Sequence, residues 1–440
     1  MSLINAVRTF CLQQGLEKTY WLAYSGGLDS HVLLAIFHEV KQTLPLKLRA
    51  IHINHGLSKH AKAWEAHCEG VCAAYQINYA SRSLQLQVPK GESLEEVARI
   101  KRYAVFADCL AEGDVLITAH HQDDQAETIL LQLLRGAGPK GLAAMPAIKP
   151  FAKGFHARPL LSFSRAVLEE YAKTHGLQWI EDESNQVTSL TRNFIRHDIL
   201  APLKTRWPNV TATLARSAAH CAEAQALLEE YVVTDWKKVS GSKQNTLSVQ
   251  KLLELSPARQ RLILRGWIEQ QGFLLPEAKT LNAILEDVLH AAWDRMPKVH
   301  WQGAELRRYR DDLFLFTTMQ PVSATELLVW QLAKPMVLSS RGTLSAKLSL
   351  GKGLSPKLNE VCVQFRRGGE LVKFAKRGSR SLKNLFQEWG VLPWERERIP
   401  LLFVGEELVA VVGHYIREEY QAGVDEMGWE VCFEAPPGIL

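Results

Sequence analysis

The sequence predicts an α/β protein: a doubly wound parallel sheet, followed by a mostly helical domain and a small α+β C-terminal domain. Three observations carry this. Over roughly the first two hundred residues, short apolar runs alternate with segments of helical spacing, the βαβα rhythm of a parallel sheet. From residue 210 the pattern turns to Ala, Leu and Glu at helical intervals, and near the C terminus it turns again, to apolar and polar residues in alternation. A chain of 440 residues is also too long for one core, so several domains are expected. Their boundaries are placed at 1–209, 210–318, a linker and strand segment at 319–360, and 361–440.

In order, residues 19–24 form an apolar run that reads as the first strand, and 31–37 as the helix after it. Residues 46–54 read as a second strand, 61–75 as a helix, 77–84 as a third strand and 92–110 as a helix. A fourth strand is expected at 114–119 and a helix at 123–135. Residues 136–159, rich in Gly, Pro, Ala and Lys, read as a long loop. A helix at 164–175 has Ser164 placed to cap it. The second domain holds helices at 210–236, 256–271 and 276–292, then strands over 299–316 turning at Gln302-Gly303 and Asp311-Asp312. Residues 321–356 read as short strands and turns, and 401–412 as a hairpin turning at Gly405-Glu406. Ligands of doubly wound sheets bind beyond the carboxyl ends of the strands, which points to the loops at 25–30, 52–56 and 120–124.

The composition, 47% hydrophobic and 22% charged, is that of a globular chain. A formal net charge of +5 is too small to argue for nucleic acid, so local clustering must do so. Residues 1–10 lack the apolar core of a signal peptide and no apolar stretch approaches bilayer length, so a cytoplasmic location is expected. The seven cysteines, at 11, 68, 72, 109, 221, 362 and 432, are scattered, as reduced cytoplasmic thiols would be. Cys68 and Cys72 are one helical turn apart, but no His or Cys pair elsewhere is spaced to complete a metal site.

The turn Ser25-Gly26-Gly27-Leu28-Asp29-Ser30 lies between the first strand and its helix. The glycines let backbone N–H groups approach an anion, the helix N terminus adds a positive dipole, and Ser25 and Ser30 supply hydroxyls. Asp29 would repel phosphates unless a cation intervenes, which points to Mg²⁺ with ATP or pyrophosphate. A plain βα turn capped by Asp or Ser would explain fewer of the six residues. The chain has no G-x-x-x-x-G-K-[ST], and no G-x-G-x-x-G opens the first βα turn. The turn instead resembles the PP-loop of the N-type ATP pyrophosphatases, which implies cleavage of ATP between the α and β phosphates and adenylation of a substrate oxygen.

A second motif, His120-His121-Gln122-Asp123-Asp124-Gln125-Ala126-Glu127-Thr128, falls where the fourth strand meets its helix. Asp124 and Glu127 share a helix face, and hard carboxylate oxygens beside a polyphosphate suit Mg²⁺. Helix capping accounts for one aspartate but not for two histidines and a further carboxylate. Arg99 and Arg102 share another helix face, Arg135 opens Arg-Gly-Ala-Gly-Pro, and Arg192 and Arg196 flank Arg-Asn-Phe-Ile-Arg. A single arginine is more often a solvated ion-pair partner, but a group of them can clamp phosphates or offset an oxyanion. The acidic run Glu181-Asp182-Glu183-Ser184-Asn185 could hold those arginines or a substrate amine, or be a solvated turn.

S-G-G-L-D-S, H-H-Q-D-D-Q-A-E-T, R-G-A-G-P-K-G-L, R-P-L-L, E-D-E-S-N and R-N-F-I-R occur in this order. Together they resemble the tRNA(Ile)-lysidine synthetase family. Phe365-Arg-Arg-Gly-Gly-Glu370 and Trp394-Glu-Arg-Glu-Arg-Ile-Pro-Leu-Leu402 resemble the last domain of its long, three-domain form. One departure is Ala144, where Gly is expected; it should affect loop flexibility rather than chemistry. The resemblance implies a ligase forming a carbon–nitrogen bond. ATP would adenylate the C2 oxygen of the wobble cytidine in a CAU-bearing tRNA(Ile), and free lysine would attack C2 and displace AMP to give lysidine, changing codon reading from AUG to AUA. It implies that Ser25, Gly26, Gly27, Leu28, Asp29 and Ser30 hold ATP or pyrophosphate, that Asp29 and Asp124 hold Mg²⁺, and that Glu127 binds the lysine amine. Arg102, with Arg99 beside it, and Arg192 would offset phosphate or base charge.

Arg366, Arg367, Lys373, Lys376, Arg377, Arg380 and Lys383 crowd one stretch with Phe365, Phe374 and Phe386 between them, and Arg307, Arg308, Tyr309 and Arg310 form a smaller group. A run of charge is usually a solvated face, but cations with interleaved aromatics suit tRNA. Three rival readings stand beside this one. A PP-loop tRNA thiolase would need sulfur-carrying cysteines, typically C-x-x-C, which the chain lacks. An amidotransferase-coupled synthetase would need an ammonia source, and no second Cys/His catalytic domain is evident. A non-catalytic nucleotide- or RNA-binding module would have no need of Asp29, Asp124 and Glu127 together. The oligomeric state stays open, a homodimer included.

Overall fold

The computed structural model describes residues 2–56, 60–89, 93–181, 191–318, 327–338, 341–374 and 378–435. The chain divides into two compact units, Met1–Leu228 and Glu229–Leu440, and the helix Val210–Val239 carries the boundary.

The first unit is built on a six-stranded sheet. Its strands are β1 (Thr19–Ala23), β2 (Lys47–Asn54), β3 (Asn78–Ser83), β4 (Val115–Ile117), β5 (Ile148–Phe151) and β6 (Gly154–Ala157), in the order β3-β2-β1-β4-β6-β5. All neighbours pair parallel except β5 with β6, which close the edge as an antiparallel hairpin. Helices α1 (Leu3–Gln14), α2 (Leu28–Lys41), α3 (Ala61–Ala74), α4 (Leu94–Cys109) and α5 (Gln122–Leu134) cover it. Strand β1 is apolar on both faces because both are covered: Tyr20 and Leu22 pack with α2 and its neighbours, and Trp21 packs with Phe106, Leu116 and Ile51. The doubly wound parallel sheet expected from the sequence is present.

The 136–159 loop is a correction. It contains a short helix, Pro139–Leu142, and the β5–β6 hairpin. Pro150 lies in the edge strand β5, where proline is tolerated. Gly154 is forced by close approach, since a Cβ there would lie 2.0 Å from the Asp114 carbonyl oxygen. Short strands with Pro and Gly carry little period-2 signal. Ala144 has φ +53°, the left-handed region that glycine adopts without strain. Beside it Met145 is clasped through its N–H and C=O by the Gln125 amide, at 2.9 Å each.

In the second unit, helices Pro257–Gln270 and Ala278–Ala283 pack around Trp267 against a four-stranded sheet that includes Lys298–Trp301, Ala304–Tyr309 and Asp312–Thr317. Within the linker and strand segment expected at 319–360, the described residues form strands that pair beyond it. Leu328–Gln331 pairs antiparallel with Glu360–Gln364, and Thr343–Leu350 with Met427–Glu434. Those strands belong to the C-terminal fold. The expected hairpin is present as Leu401–Val404 and Glu407–Val411.

Candidate active site at the switch point of the sheet

The strand order reverses between β1 and β4, so a crevice opens beyond their carboxyl ends. Both chemistry-bearing motifs leave the sheet there: residues 24–30 follow β1, and residues 118–124 follow β4.

The turn after β1 is held ready by its own hydroxyls. Ser30 Oγ donates to the Gly27 carbonyl at 3.0 Å and accepts from the Ser25 N–H at 3.2 Å. The Ser25 and Ser30 hydroxyls meet at 3.0 Å, and the Gly27 N–H reaches Ser25 Oγ at 3.4 Å. Gly26 has φ +85°, and a Cβ there would come within 2.8 Å of both Cys68 Sγ and Ile180 Cδ1. Its carbonyl accepts from the Ile180 N–H at 2.9 Å, tying the turn to the segment before residue 182. Gly27 caps α2 without a side-chain bond, which leaves the first N–H groups of that helix for an anion.

The second motif brings the acidic residues together. Asp124 Oδ2 accepts from the His121 N–H at 3.0 Å, and Asp124 Oδ1 accepts from Arg192 Nη2 at 2.8 Å. Glu127, only 1% exposed, has both oxygens taken: Oε2 by Arg192 Nε and Oε1 by Arg196 Nε, each at 2.6 Å. Arg192 and Arg196 come from the short helix Thr191–Phe194 and the π-helical turn Ile195–Leu200 after it, so R-N-F-I-R is the cationic half of this cluster. Asp123 is structural. It accepts from the Arg165 N–H at 2.9 Å at the start of the helix Arg165–Thr174 and pairs with Lys204, while Asp124 caps α5 through the His121 N–H.

His121 joins the two motifs. Its Nε2 lies 3.6 Å from Asp29 Oδ2 and 3.4 Å from Asp124 Oδ2, and its Nδ1 lies 3.8 Å from Asp123 Oδ2. Burial alone would depress its imidazolium, but the nearby carboxylates of Asp29, Asp124 and Asp123 outweigh that and raise its pKa. Burial likewise opposes ionisation of Asp124, and His121 with the charge of Arg192 reverses it, leaving the carboxyl below its ordinary value. The site is thus a histidine, its pKa raised, among carboxylates with two arginines beside them.

A carboxylate pair of this kind suits Mg²⁺. Asp29 Oδ1 is buried with no hydrogen-bond donor, and Asp29 and Asp124 approach the same imidazole edge. Among the described residues no three His, Cys, Asp or Glu side chains form a metal cage, but Mg²⁺ in a phosphate site needs only one or two carboxylates with waters and phosphate oxygens.

Other expected residues are placed differently. Arg102 lies on α4 with its guanidinium 5.8 Å from the Tyr103 ring, and the charge of Arg99, on the same helix, acts with that of Arg158 at His120 and His156. The network behind His120, formed by Thr118, His156 and Arg158, was not anticipated. Its one sequence signal was R-P-L-L, which begins at Arg158.

The basic stretch near the C terminus is partly compensated. Arg380 makes two hydrogen bonds to Glu388, Lys373 lies 3.7 Å from Glu407, and Arg366 lies 3.9 Å from Glu370. Lys376 and Arg377 lie outside the described residues. The interleaved aromatics are a correction. Phe365 is core, with the Arg341 guanidinium 3.7 Å from its ring centre, and Phe386 is core with Leu382 and Leu385. The smaller group is corrected as well. Arg308 is buried, its guanidinium donating to the carbonyls of Val288, Leu289, Ala291 and Arg310, while Arg307 pairs with Glu305 and lies 5.3 Å from the Trp394 ring.

A parallel sheet with a Ser/Gly phosphate turn and an acidic second motif at its switch point defines a PP-loop ATPase domain, and a PP-loop domain model matches residues 5–203. Models described as the TilS substrate binding domain and the TilS substrate C-terminal domain match residues 247–314 and 361–433. A tRNA(Ile)-lysidine synthase of Coxiella burnetii is 43% identical over 96% of this chain and 94% of its own length. One of Methylococcus capsulatus is 41% identical over 93% and 94%, and one of Shigella flexneri 40% identical over 90% and 92%. The chain belongs to the tRNA(Ile)-lysidine synthase family, a family of ligases.

Proposed function

We propose that this chain uses ATP to adenylate the C2 oxygen of the wobble cytidine in CAU-bearing tRNA(Ile), then joins free L-lysine to C2. The observation that supports this most is the convergence at one switch point of the phosphate turn 25–30 with Asp124, Glu127, Arg192 and Arg196. In the first step the C2 oxygen attacks the α-phosphorus and pyrophosphate leaves. The backbone of Gly26 and Gly27, the first turn at Leu28, and the hydroxyls of Ser25 and Ser30 would receive the pyrophosphate. Asp29 and Asp124 would hold Mg²⁺, which when bound neutralises phosphate charge. In the second step the ε-nitrogen of lysine bonds to C2, the C2–O bond to AMP breaks, and the nitrogen gives up a proton. The product pairs with A, so the tRNA reads AUA rather than AUG.

Lysine arrives as an ammonium, with a free pKa of about 10.4. Both Glu127 oxygens hold arginine nitrogens, so the ammonium would take the place of one guanidinium, a cation for a cation. The freed arginine, together with Arg102, would then face phosphate or base oxygens, where charge develops. The ammonium must lose its proton before attack, and desolvation on tRNA docking favours that loss. Arg366, Arg367, Lys373 and Arg380, with Lys376 and Arg377, would contact the tRNA backbone through charge.

A thiolase reading requires a reactive thiolate. Cys68 and Cys72 are buried, and burial pushes each thiol up to about 12. The test is AMP release from ATP with lysine present, with and without tRNA(Ile) transcript. Release that needs the transcript supports the reading; release that ignores it, or none at all, refutes it.

A further inference from the structure

Behind the second motif lies a buried chain of polar groups that the proposed chemistry does not use. Arg158 Nη2 lies 3.1 Å from His156 Nδ1, His156 Nε2 lies 2.9 Å from Thr118 Oγ1, and Thr118 Oγ1 lies 2.7 Å from His120 Nδ1. Thr118 and Arg158 are buried and His156 is 0% exposed. Arg158 is itself fixed, since its Nη1 donates to the Pro146 carbonyl at 2.7 Å and its N–H to the Ala147 carbonyl at 2.8 Å.

The direction of every bond in this chain follows from its first member. A guanidinium only donates. His156 Nδ1 must therefore accept, which leaves its single proton on Nε2. That N–H donates to the Thr118 hydroxyl. The hydroxyl's own hydrogen has one further neighbour, His120 Nδ1, at a distance suited to a hydroxyl donor. His120 Nδ1 therefore accepts, and the His120 proton sits on Nε2. Both rings stay neutral. Burial, offset in part by Asp124, with the charges of Arg158, Arg192 and Arg99, takes His120 down to about 3; burial with Arg158 and His120 takes His156 to about 2.

We infer that Arg158, His156 and Thr118 are positioning residues that lock His120 as a neutral Nε2–H donor, and that His120 hydrogen-bonds an oxygen of the bound substrates at the switch point and does not take the proton of the attacking amine. The loop carrying His120 follows β4 at that crevice, and with Nδ1 engaged only the Nε2 edge is left for a ligand. A fixed N–H donor suits a phosphate or base oxygen on which charge builds. A general base in that place would need a free ring nitrogen. The use of the donor rests on the ligase reading; the tautomer does not.

The test is a long-range proton–nitrogen correlation spectrum of the full chain with ¹⁵N-labelled histidine and no substrate, the His120 signals assigned by loss in His120→Gln. The expected result is Nδ1 bare and Nε2 protonated at His120, kept in Thr118→Ser and replaced by mixed tautomers in Thr118→Val. A proton on His120 Nδ1 in the unsubstituted protein overturns the proposal, and that spectrum decides even if Thr118→Val does not fold. In the AMP-release assay Thr118→Val is expected to lower kcat about tenfold with KM for ATP unmoved, and Thr118→Ser to restore it. A folded Thr118→Val with normal kcat removes the positioning role. Because the spectrum needs no substrate, its failure is separate from failure of the ligase reading.

Discussion

Glu127 concentrates the chemistry at the scale of single residues. It is a carboxylate with both oxygens held by guanidinium nitrogens, so any substrate cation must compete with Arg192 or Arg196. Glu127→Gln keeps the shape and removes the charge. Lysine transfer should fall by about a hundredfold or more while adenylation persists, so adenylated tRNA accumulates in acid-quenched single turnovers. Measured across pH, an unchanged transfer step would remove Glu127 from the lysine site. His120 and His156 give a second prediction. Their folded-state pKa values lie well below the unfolded value of about 6.5, so below that pH the unfolded chain binds the extra protons. Their contribution to stability is complete above about 6.5 and is lost as pH falls toward 3, at up to about 1.4 kcal/mol per pH unit for each histidine. Urea unfolding between pH 7.5 and 5 should show His156→Gln with a shallower loss than the parent, and equal slopes would contradict a neutral buried His156. Asp29 and Asp124 were legible in the sequence because local motifs carry them. His156 was not, because it became part of the site only when β6 paired with β4.

Strands and helices set what the charged runs can do. Reading the C-terminal stretch as cations interleaved with aromatics failed because Phe365 and Phe386 face inward from their elements. Local sequence shows that a phenylalanine is near an arginine; it does not show which face is covered. The two roles separate by measurement. Phe386→Ala should cost about 3–5 kcal/mol of stability as a buried large-to-small change. Replacing Arg366 and Arg367 by Ala should instead weaken tRNA binding and reduce the salt slope by about two, if both contact phosphates. Melting curves and binding isotherms at several salt concentrations check this; a double variant with unaltered slope would remove the stretch from the RNA surface. The long β-strands and amphipathic helices of the first unit were legible because period and burial agree in them. The β5–β6 hairpin was not, because its strands are four residues each and carry a proline and a glycine, too little for a period-2 signal.

For the molecule as a whole, the family and the sheet at its core follow from motifs in fixed order, and strand pairings distant in sequence do not. Thr343–Leu350 pairs with Met427–Glu434 across some eighty residues, which no local pattern announces, so short strands were legible there and their partners were not. The proposed function requires one polypeptide to grip ATP at the switch point and to carry a free amino acid to a tRNA base. The most direct measurement is incorporation of labelled lysine into a CAU-anticodon tRNA(Ile) transcript by the full chain with ATP and Mg²⁺, with tRNA(Met) as control. ATP-dependent label is expected in the isoleucine transcript alone, at the wobble cytidine. No label, or equal label in both transcripts, would contradict it.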